Sequence, residues 1–277
     1  MNQEFPEIKL IPIKDIIFHE TEEPKRTKIL EERIVSDGFL RNPVILGKIA
    51  NGNSKFLLLD GVHRVSALKK LGFNEAAAQI VNYSNRNVKV DAWCHLIRNT
   101  CTEDLLARIG AIKNLKLEKA NREKAKMLLE KKKIVCCLFF KNKDALIMKS
   151  NPELKNRTSK LVEVVKVCYD SSDVKRGTET ETTFLLRTQK KSIAILRTPI
   201  YEKKEIVDLA FNNLRLPSGI TRHIIPSRIL GFRVDLGLLK INLPIEDKNK
   251  LIQEIFNYRV TNGRTRFYPE SVLVFDD

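Results

Sequence analysis

Cysteine is scarce in this 277-residue chain and poorly spaced for its common structural uses. Cys94, Cys101, Cys136, Cys137 and Cys168 are odd in number and include no Cys-x-x-Cys pair, which argues against a disulfide framework or a zinc ribbon. Reduced, mostly buried thiols are expected. The same reading covers Cys94, His95 and Cys101, whose alternative would be a shared metal. Glycine (11) and proline (10) are also few, and no stretch is long enough in biased composition to act as a disordered linker. With 43% apolar residues the chain has the material for a packed core. No apolar run approaches the roughly 20 residues of a membrane-spanning helix, and the amino terminus lacks a signal-peptide core. The expectation is a folded cytosolic protein of one large or two ordinary domains, without internal repeats.

Acidic residues are in the minority, and the deficit is uneven. The chain has 50 Lys and Arg against 34 Asp and Glu, a net charge of +16. Residues 1 to 93 carry 14 basic and 12 acidic side chains, so the excess of +14 belongs to the remainder. A nucleic-acid reader working through the first module would be more basic than this. The second module keeps a DNA-binding reading open.

The most informative stretch is Phe56-Leu57-Leu58-Leu59-Asp60-Gly61-Val62-His63-Arg64. A short apolar run suited to a buried strand ends in Asp-Gly, and apolar positions Val62, Val65, Leu68 and Leu71 then recur at helical spacing up to Gly72. Strand, tight turn and helix follow. The first-turn N–H groups of such a helix have no intrahelical partner, so they and the helix dipole favour an anion. His63 and Arg64 sit in that turn. Gly61 permits a close approach, and Asp60 can hold a cation or accept a proton. These residues suit a phosphate and magnesium seat, although Asp-Gly is also a common plain turn.

Around this stretch, Ile8 to Ile13 reads as an edge or short strand and Pro24 opens a helix with Leu30 and Ile34 on one face, ending at Asp37-Gly38. Glu22 and Glu23 read as carboxylates favoured by that helix's dipole. Val44 to Leu46 and Phe56 to Leu59 read as a hairpin through Asn51-Gly52, and Ala77 to Val81 as a further strand. The first module is thus a small α+β unit. Beyond it, Leu105, Ile109 and Ile112 mark a helix, and the lysines from Lys113 to Lys133 read as a solvated helical face. Ile134 to Phe140 and Ala145 to Lys149 read as paired strands. Leu161 to Val167 fits helix or strand, Thr178 to Thr183 tends to β structure, Ser192 to Leu196 is a strand, and Ile206, Leu209 and Ala210 mark a helix. Late in the chain, Pro217-Ser218-Gly219-Ile220-Thr221-Arg222-His223 sets hydroxyl, guanidinium and imidazole donors side by side, suiting a carboxylate or a phosphate.

Taken together, Phe18-His19-Glu20, Gly38-Phe39-Leu40-Arg41-Asn42-Pro43, Leu59 to Arg64, Asp91-Ala92-Trp93 and Gly219 to His223 resemble the free L-serine kinases of the ParB/sulfiredoxin-like superfamily, particularly the SbnI type of staphyloferrin B biosynthesis. The resemblance implies an α+β fold: a ParB/sulfiredoxin-like nucleotide-binding domain over 1–95 and a mixed α/β domain over 96–277 that binds substrate and closes the cleft. It implies transfer of phosphate from ATP or ADP, with Mg2+, to the hydroxyl of free L-serine, the product supplying a siderophore or cysteine-type pathway. On this basis Glu20 is the catalytic base and Asp60 a catalytic carboxylate associated with magnesium. Arg41, Asn42, Pro43, Gly61, Val62, His63 and Arg64 fall to the nucleotide, and Trp93, Thr221, Arg222 and His223 to serine. Sulfiredoxin-like members carry a reactive Cys where this chain has Val62, so sulfinic-acid repair lacks its thiol here. The alternative is a ParB-like DNA-binding regulator using the basic second module, although no paired-helix recognition unit follows residue 100.

Overall fold

The computed structural model describes residues 6–49, 54–266 and 268. Its contacts divide the chain into two units, and the chain passes between them more than once. The first takes residues up to Ile16, then Pro24–Val88, then those from Ile225 onward; the second takes Ile17–Glu23 and Lys89–Ile224. This differs from the single break at residue 95 expected from the sequence. The physical reason is that the segment after Ile225 finds its hydrogen-bond partners in the first unit, while Ile17–Glu23 finds them near Leu216 and Thr221.

In chain order the first unit begins with β1 (Glu7–Pro12), leaves on β2 (Ile16–Phe18), and resumes with α1 (Pro24–Asp37), β3 (Phe39–Leu40), β4 (Val44–Lys48), β5 (Phe56–Asp60), α2 (Val62–Lys70) and β6 (Glu75–Asn82). Strands β1, β6, β4 and β5 lie in that order, with β4 parallel to β6 and the other pairs antiparallel. Val44 to Leu46, Leu57 to Leu59 and Ala76 to Ala78 are buried, which is why these runs are apolar throughout rather than alternating. The hairpin expected between β4 and β5 forms; its Asn51-Gly52 turn lies outside the described residues.

The second unit runs β7 (Lys89–Ala92), β8 (Cys94–Arg98), α3 (Thr102–Gly110), β9 (Lys116–Asn121), α4 (Arg122–Glu130), β10 (Cys136–Phe140), β11 (Asp144–Lys149), α5 (Leu154–Ser171), β12 (Asp173–Gly177), α6 (Glu179–Thr188), β13 (Ser192–Arg197), α7 (Lys203–Phe211) and β14 (Thr221–Ile224). Six strands form one antiparallel sheet, β12-β8-β13-β10-β11-β9. Alternate residues of its strands, among them Cys94, Leu96, Cys137, Phe139, Ala145 and Ile147, pack with Ala125 and Leu129 of α4 and Leu186 of α6 in one core. Burial pushes the thiols of Cys137 and Cys168 up to about 12, which leaves them unreactive core residues.

Two local readings change. Thr178 to Thr183 opens a helix instead of a strand, because Thr178 accepts from the Glu181 N–H, Glu179 and Glu181 occupy the first turn, and Leu186 is buried. The lysine-rich stretch from Lys113 begins as the edge strand β9, and only α4 is helical. Lysines on an edge strand also discourage pairing with another chain. The ambiguous Leu161 to Val167 lies within α5.

The chain then returns to the first unit as β15 (Val234–Asp235), α8 (Leu236–Lys240) and α9 (Ile245–Thr261). Strand β15 pairs with β3. Helix α9 docks on β1 through Asn249, whose amide accepts from the Leu10 N–H at 2.7 Å and donates to its carbonyl at 3.2 Å, occupying the open edge of the strand.

Candidate active site

Each unit carries one cluster of the residues singled out above. In the first, β5 delivers Asp60 to its end and Gly61 turns the chain into α2. Gly61 has a φ of +107°, and a Cβ there would lie 2.7 Å from the Val44 side chain, so both the backbone conformation and the space require glycine. Gly61 at the N-cap has no side chain with which to cap α2, and the first-turn N–H groups, beside Val62 and His63, have no acceptor within the helix. Arg64 reaches back from that turn: it donates to Asp60 Oδ2 at 2.9 Å and to the carbonyls of Asn42 and Pro43 at 3.1 and 2.6 Å. Arg228, from the returning segment, donates to the same Oδ2 at 2.5 Å. Arg41 pairs instead with Asp37, and its guanidinium is the main cause holding the Asp37 carboxyl below its ordinary range.

Asp60 is the group here that fits a magnesium ion. It is one carboxylate beside anion-favouring N–H groups, and Mg2+ is held by one or two carboxylates completed by a nucleotide's phosphates. Among the described residues no group of three or more His, Cys, Asp or Glu converges to form an all-protein metal site. Cys94, His95 and Cys101 diverge: Cys94 is buried, His95 bonds elsewhere, and Cys101 donates to Glu103.

In the second unit Glu20 is held from three sides. Its Oε2 accepts from the Gly219 N–H at 2.8 Å; its Oε1 accepts from the Thr221 N–H and hydroxyl, each at 2.7 Å. A hydroxyl has one proton, so Thr221, donating to Glu20, must accept from His19 Nε2, which lies 2.8 Å away and therefore carries its hydrogen. His223 meets the His19 ring edge-on at 5.3 Å between centroids. Strand β14 pairs with β7, which brings Arg222 over the Trp93 ring at 4.8 Å, with Asp91 at 3.8 Å from the guanidinium. Thr221 is bonded to Glu20 and His223 lies against His19, while Arg222, the intervening residue of β14, belongs to the other face of the strand with Trp93 and Asp91. Thr221, however, spends its hydroxyl on the carboxylate.

Gly219, already marked by its Ser-Gly turn, and two residues given no role there by the sequence, Arg176 and His95, define this geometry. Gly219 has a φ of +72°, and a Cβ there would fall 2.4 Å from Arg176 Nε. Arg176 is ion-paired with Glu23 and bonded to the Tyr169 hydroxyl. Burial pulls its pKa down while the charge of Glu20 works the other way. His95 Nε2 donates to the Gly219 carbonyl at 2.8 Å, and burial holds its pKa below 6.5. Glu23 thus has a specific partner beyond a helix dipole. The visible signal for His95 is a lone polar residue within the apolar run Cys94 to Ile97; for Arg176 there is none.

No protein-family model matches the chain. An ATP-dependent L-serine kinase of Staphylothermus marinus is 28% identical over 219 residues, covering 78% of this chain and 85% of that protein. SbnI of Staphylococcus aureus, an ATP-dependent L-serine kinase, is 31% identical over 97 residues, 35% of this chain and 37% of SbnI. The structure of C-terminally truncated SbnI superimposes with a TM-score of 0.73 at 21% identity over 91% of this chain and 96% of that one. A free serine kinase variant in complex with ADP gives 0.70 at 19% identity, covering 84% and 92%.

In fold, the chain belongs with these α+β proteins. The resemblance carried by its motifs is to the L-serine kinases and runs through most of its length.

Proposed function

We infer that this protein is a free L-serine kinase, converting L-serine to O-phospho-L-serine at the expense of an adenine nucleotide. The observation that carries the reading is Glu20. Its carboxylate accepts three hydrogen bonds, two on Oε1 and one on Oε2, so its orientation is fixed and Oε2 keeps an acceptor position for a substrate hydroxyl. Named relatives of the same fold are L-serine kinases.

Phosphoryl transfer asks the protein mainly to position groups and neutralise charge. Glu20 orients the serine hydroxyl and takes its proton as the oxygen bonds to the terminal phosphorus of the donor. The bond from that phosphorus to the bridging oxygen breaks, and the nucleotide leaves one phosphate shorter. Arg222, stacked on Trp93, is the cation for the serine carboxylate, and Asp91 beside it suits the ammonium group. The first unit, read as ParB/sulfiredoxin-like, holds the phosphates on the α2 N–H groups with His63 and Arg64, while Asn42 and Pro43 fix Arg64. Asp60 would hold Mg2+, which supplies charge neutralisation on the phosphates. A cytoplasmic setting, where nucleotide is abundant and thiols stay reduced, belongs to the same reading.

The test is to incubate the protein with L-serine and Mg2+, with ATP or ADP in turn, and follow O-phosphoserine by phosphorus NMR. Formation of O-phosphoserine with either donor is expected. Tight, sequence-selective duplex binding with no turnover on either donor would replace the kinase reading with DNA recognition.

A further inference from the structure

Arg228 lies in a stretch whose sequence carries no periodic signal, yet the first unit holds it in place from several sides. Gln79, buried in the middle of β6, donates from Nε2 to the Ser227 carbonyl at 3.2 Å and accepts at Oε1 from the Ile229 N–H at 2.9 Å. One side-chain amide thereby grips the backbone on both sides of residue 228. Ser227 adopts a left-handed φ of +51°, a conformation a non-glycine residue keeps only where its surroundings impose it. Downstream, the Gly231 N–H donates to Asn42 Oδ1 at 2.6 Å and the Arg233 N–H to the Arg41 carbonyl at 3.0 Å. An ordinary surface ion pair contributes little and needs no such support.

The charge at this point is also unbalanced. Asp60 Oδ2 accepts from both Arg64 and Arg228, so two guanidiniums share one carboxylate and a positive excess remains. The two arginines are not equivalent. Arg64 is 18% exposed and tied to two carbonyls besides, whereas Arg228 is 39% exposed. Its planar fork matches a phosphate bidentately.

We propose that Arg228, held by Gln79, is a second phosphate-binding arginine of the first unit and receives the donor's phosphate charge beyond the α-phosphate. The inference rests on the kinase reading, which puts Asp60 at the phosphoryl end of the nucleotide; a group bonded to Asp60 meets that end and not the nucleoside.

The experiment is calorimetric titration of the full-length protein and its variants with ADP and with AMP. Arg228→Gln weakens ADP binding about 10- to 100-fold, as loss of a charge-assisted hydrogen bond does, and changes AMP binding less than about threefold. Arg228→Lys keeps the charge without the fork and falls between. Gln79→Leu loosens the grip and gives the same ADP-selective loss at smaller size. Equal losses for ADP and AMP, or unchanged ADP binding in Arg228→Gln, overturn the proposal, since a purely structural ion pair makes no distinction between nucleotides. ADP binding untouched by Gln79→Leu overturns the positioning role. Wild-type protein that binds neither nucleotide and forms no O-phosphoserine removes the kinase reading and this proposal with it; wild-type binding with an indifferent Arg228→Gln removes this proposal alone.

Discussion

Asp60 and Glu20 are both half-buried carboxylates, yet their partners differ in kind. Asp60 is bonded to two arginine side chains, of which Arg64 is also tied to two carbonyls and the more exposed Arg228 can turn to a better anion when one arrives. Glu20 is bonded to two backbone N–H groups and a hydroxyl that is itself fixed by His19, and these turn to nothing else. Exchangeable partners suit a polyphosphate seat, where charge is handed over on binding. Fixed partners suit a base, whose work depends on being in place before the substrate comes. The contrast can be tested by removing each carboxylate in turn.

Glu20→Gln is expected to have the largest effect. The amide keeps the shape but cannot take a proton, so turnover falls by about 10²- to 10⁴-fold while nucleotide affinity stays as it was. Its NH2 group must also face at least one of the donors now bonded to the carboxylate, which costs about 1 to 3 kcal/mol of stability. Steady-state kinetics and denaturant unfolding measure the two. Near-wild-type turnover would remove Glu20 from the mechanism and leave the second cluster a structural one.

Asp60→Asn is expected to lower turnover by about 10- to 100-fold and to make nucleotide binding less dependent on magnesium. Stability should change by less than about 1 kcal/mol, because partly exposed ion pairs with Arg228 contribute little. A stability loss as large as that of Glu20→Gln would erase the distinction between exchangeable and fixed partners.

The two clusters were also unequally legible in the sequence. The Asp60 turn is local: an apolar strand, a glycine with no room for a side chain, and a helix whose period is visible within ten residues. Glu20 finds its partners about 200 residues away, at Gly219 and Thr221, and no periodicity connects them; only the likeness to serine kinases joined the two segments. Gln79 and His95 each announce themselves as polar residues inside buried apolar runs, but a sequence does not say what they bond. Thr178 to Thr183 misleads for the opposite reason. Threonine favours strands locally, and the N-cap with burial of Leu186 overrides that preference.

Gly219→Ala tests how strictly the second cluster is fixed. The added methyl meets a positive φ and the ion-paired guanidinium of Arg176, so it should destabilise the protein by about 1 to 3 kcal/mol and lower turnover through displacement of Glu20. Adding Arg176→Ala removes the collision but not the strained φ. The double variant should therefore recover part of the stability and little of the activity. Full additivity of the two substitutions, measured by denaturant unfolding, would show that Arg176 does not brace Gly219.

The smallest effect is a pH dependence from His95. Its Nε2–H is committed to the Gly219 carbonyl, so a second proton at Nδ1 would put a charge in a buried place, and burial holds the folded pKa below 6.5. As pH falls below about 6.5, the unfolded chain takes up a proton at this residue that the folded chain refuses. The unfolded state then binds more protons, so stability declines with falling pH from about 6.5 down to the folded pKa, by at most about 1.4 kcal/mol per pH unit. The charge of Glu20 works against the shift and makes the slope shallower. His95→Gln removes the titration, and comparison of urea midpoints at pH 5.5 and 7.5 should show a smaller difference in the variant than in wild type. Because the other three histidines remain in both proteins, the change in slope belongs to His95. An unchanged slope would mean that His95 accepts its proton inside the fold, the hydrogen bond to Gly219 and the charge of Glu20 together offsetting the cost of burial.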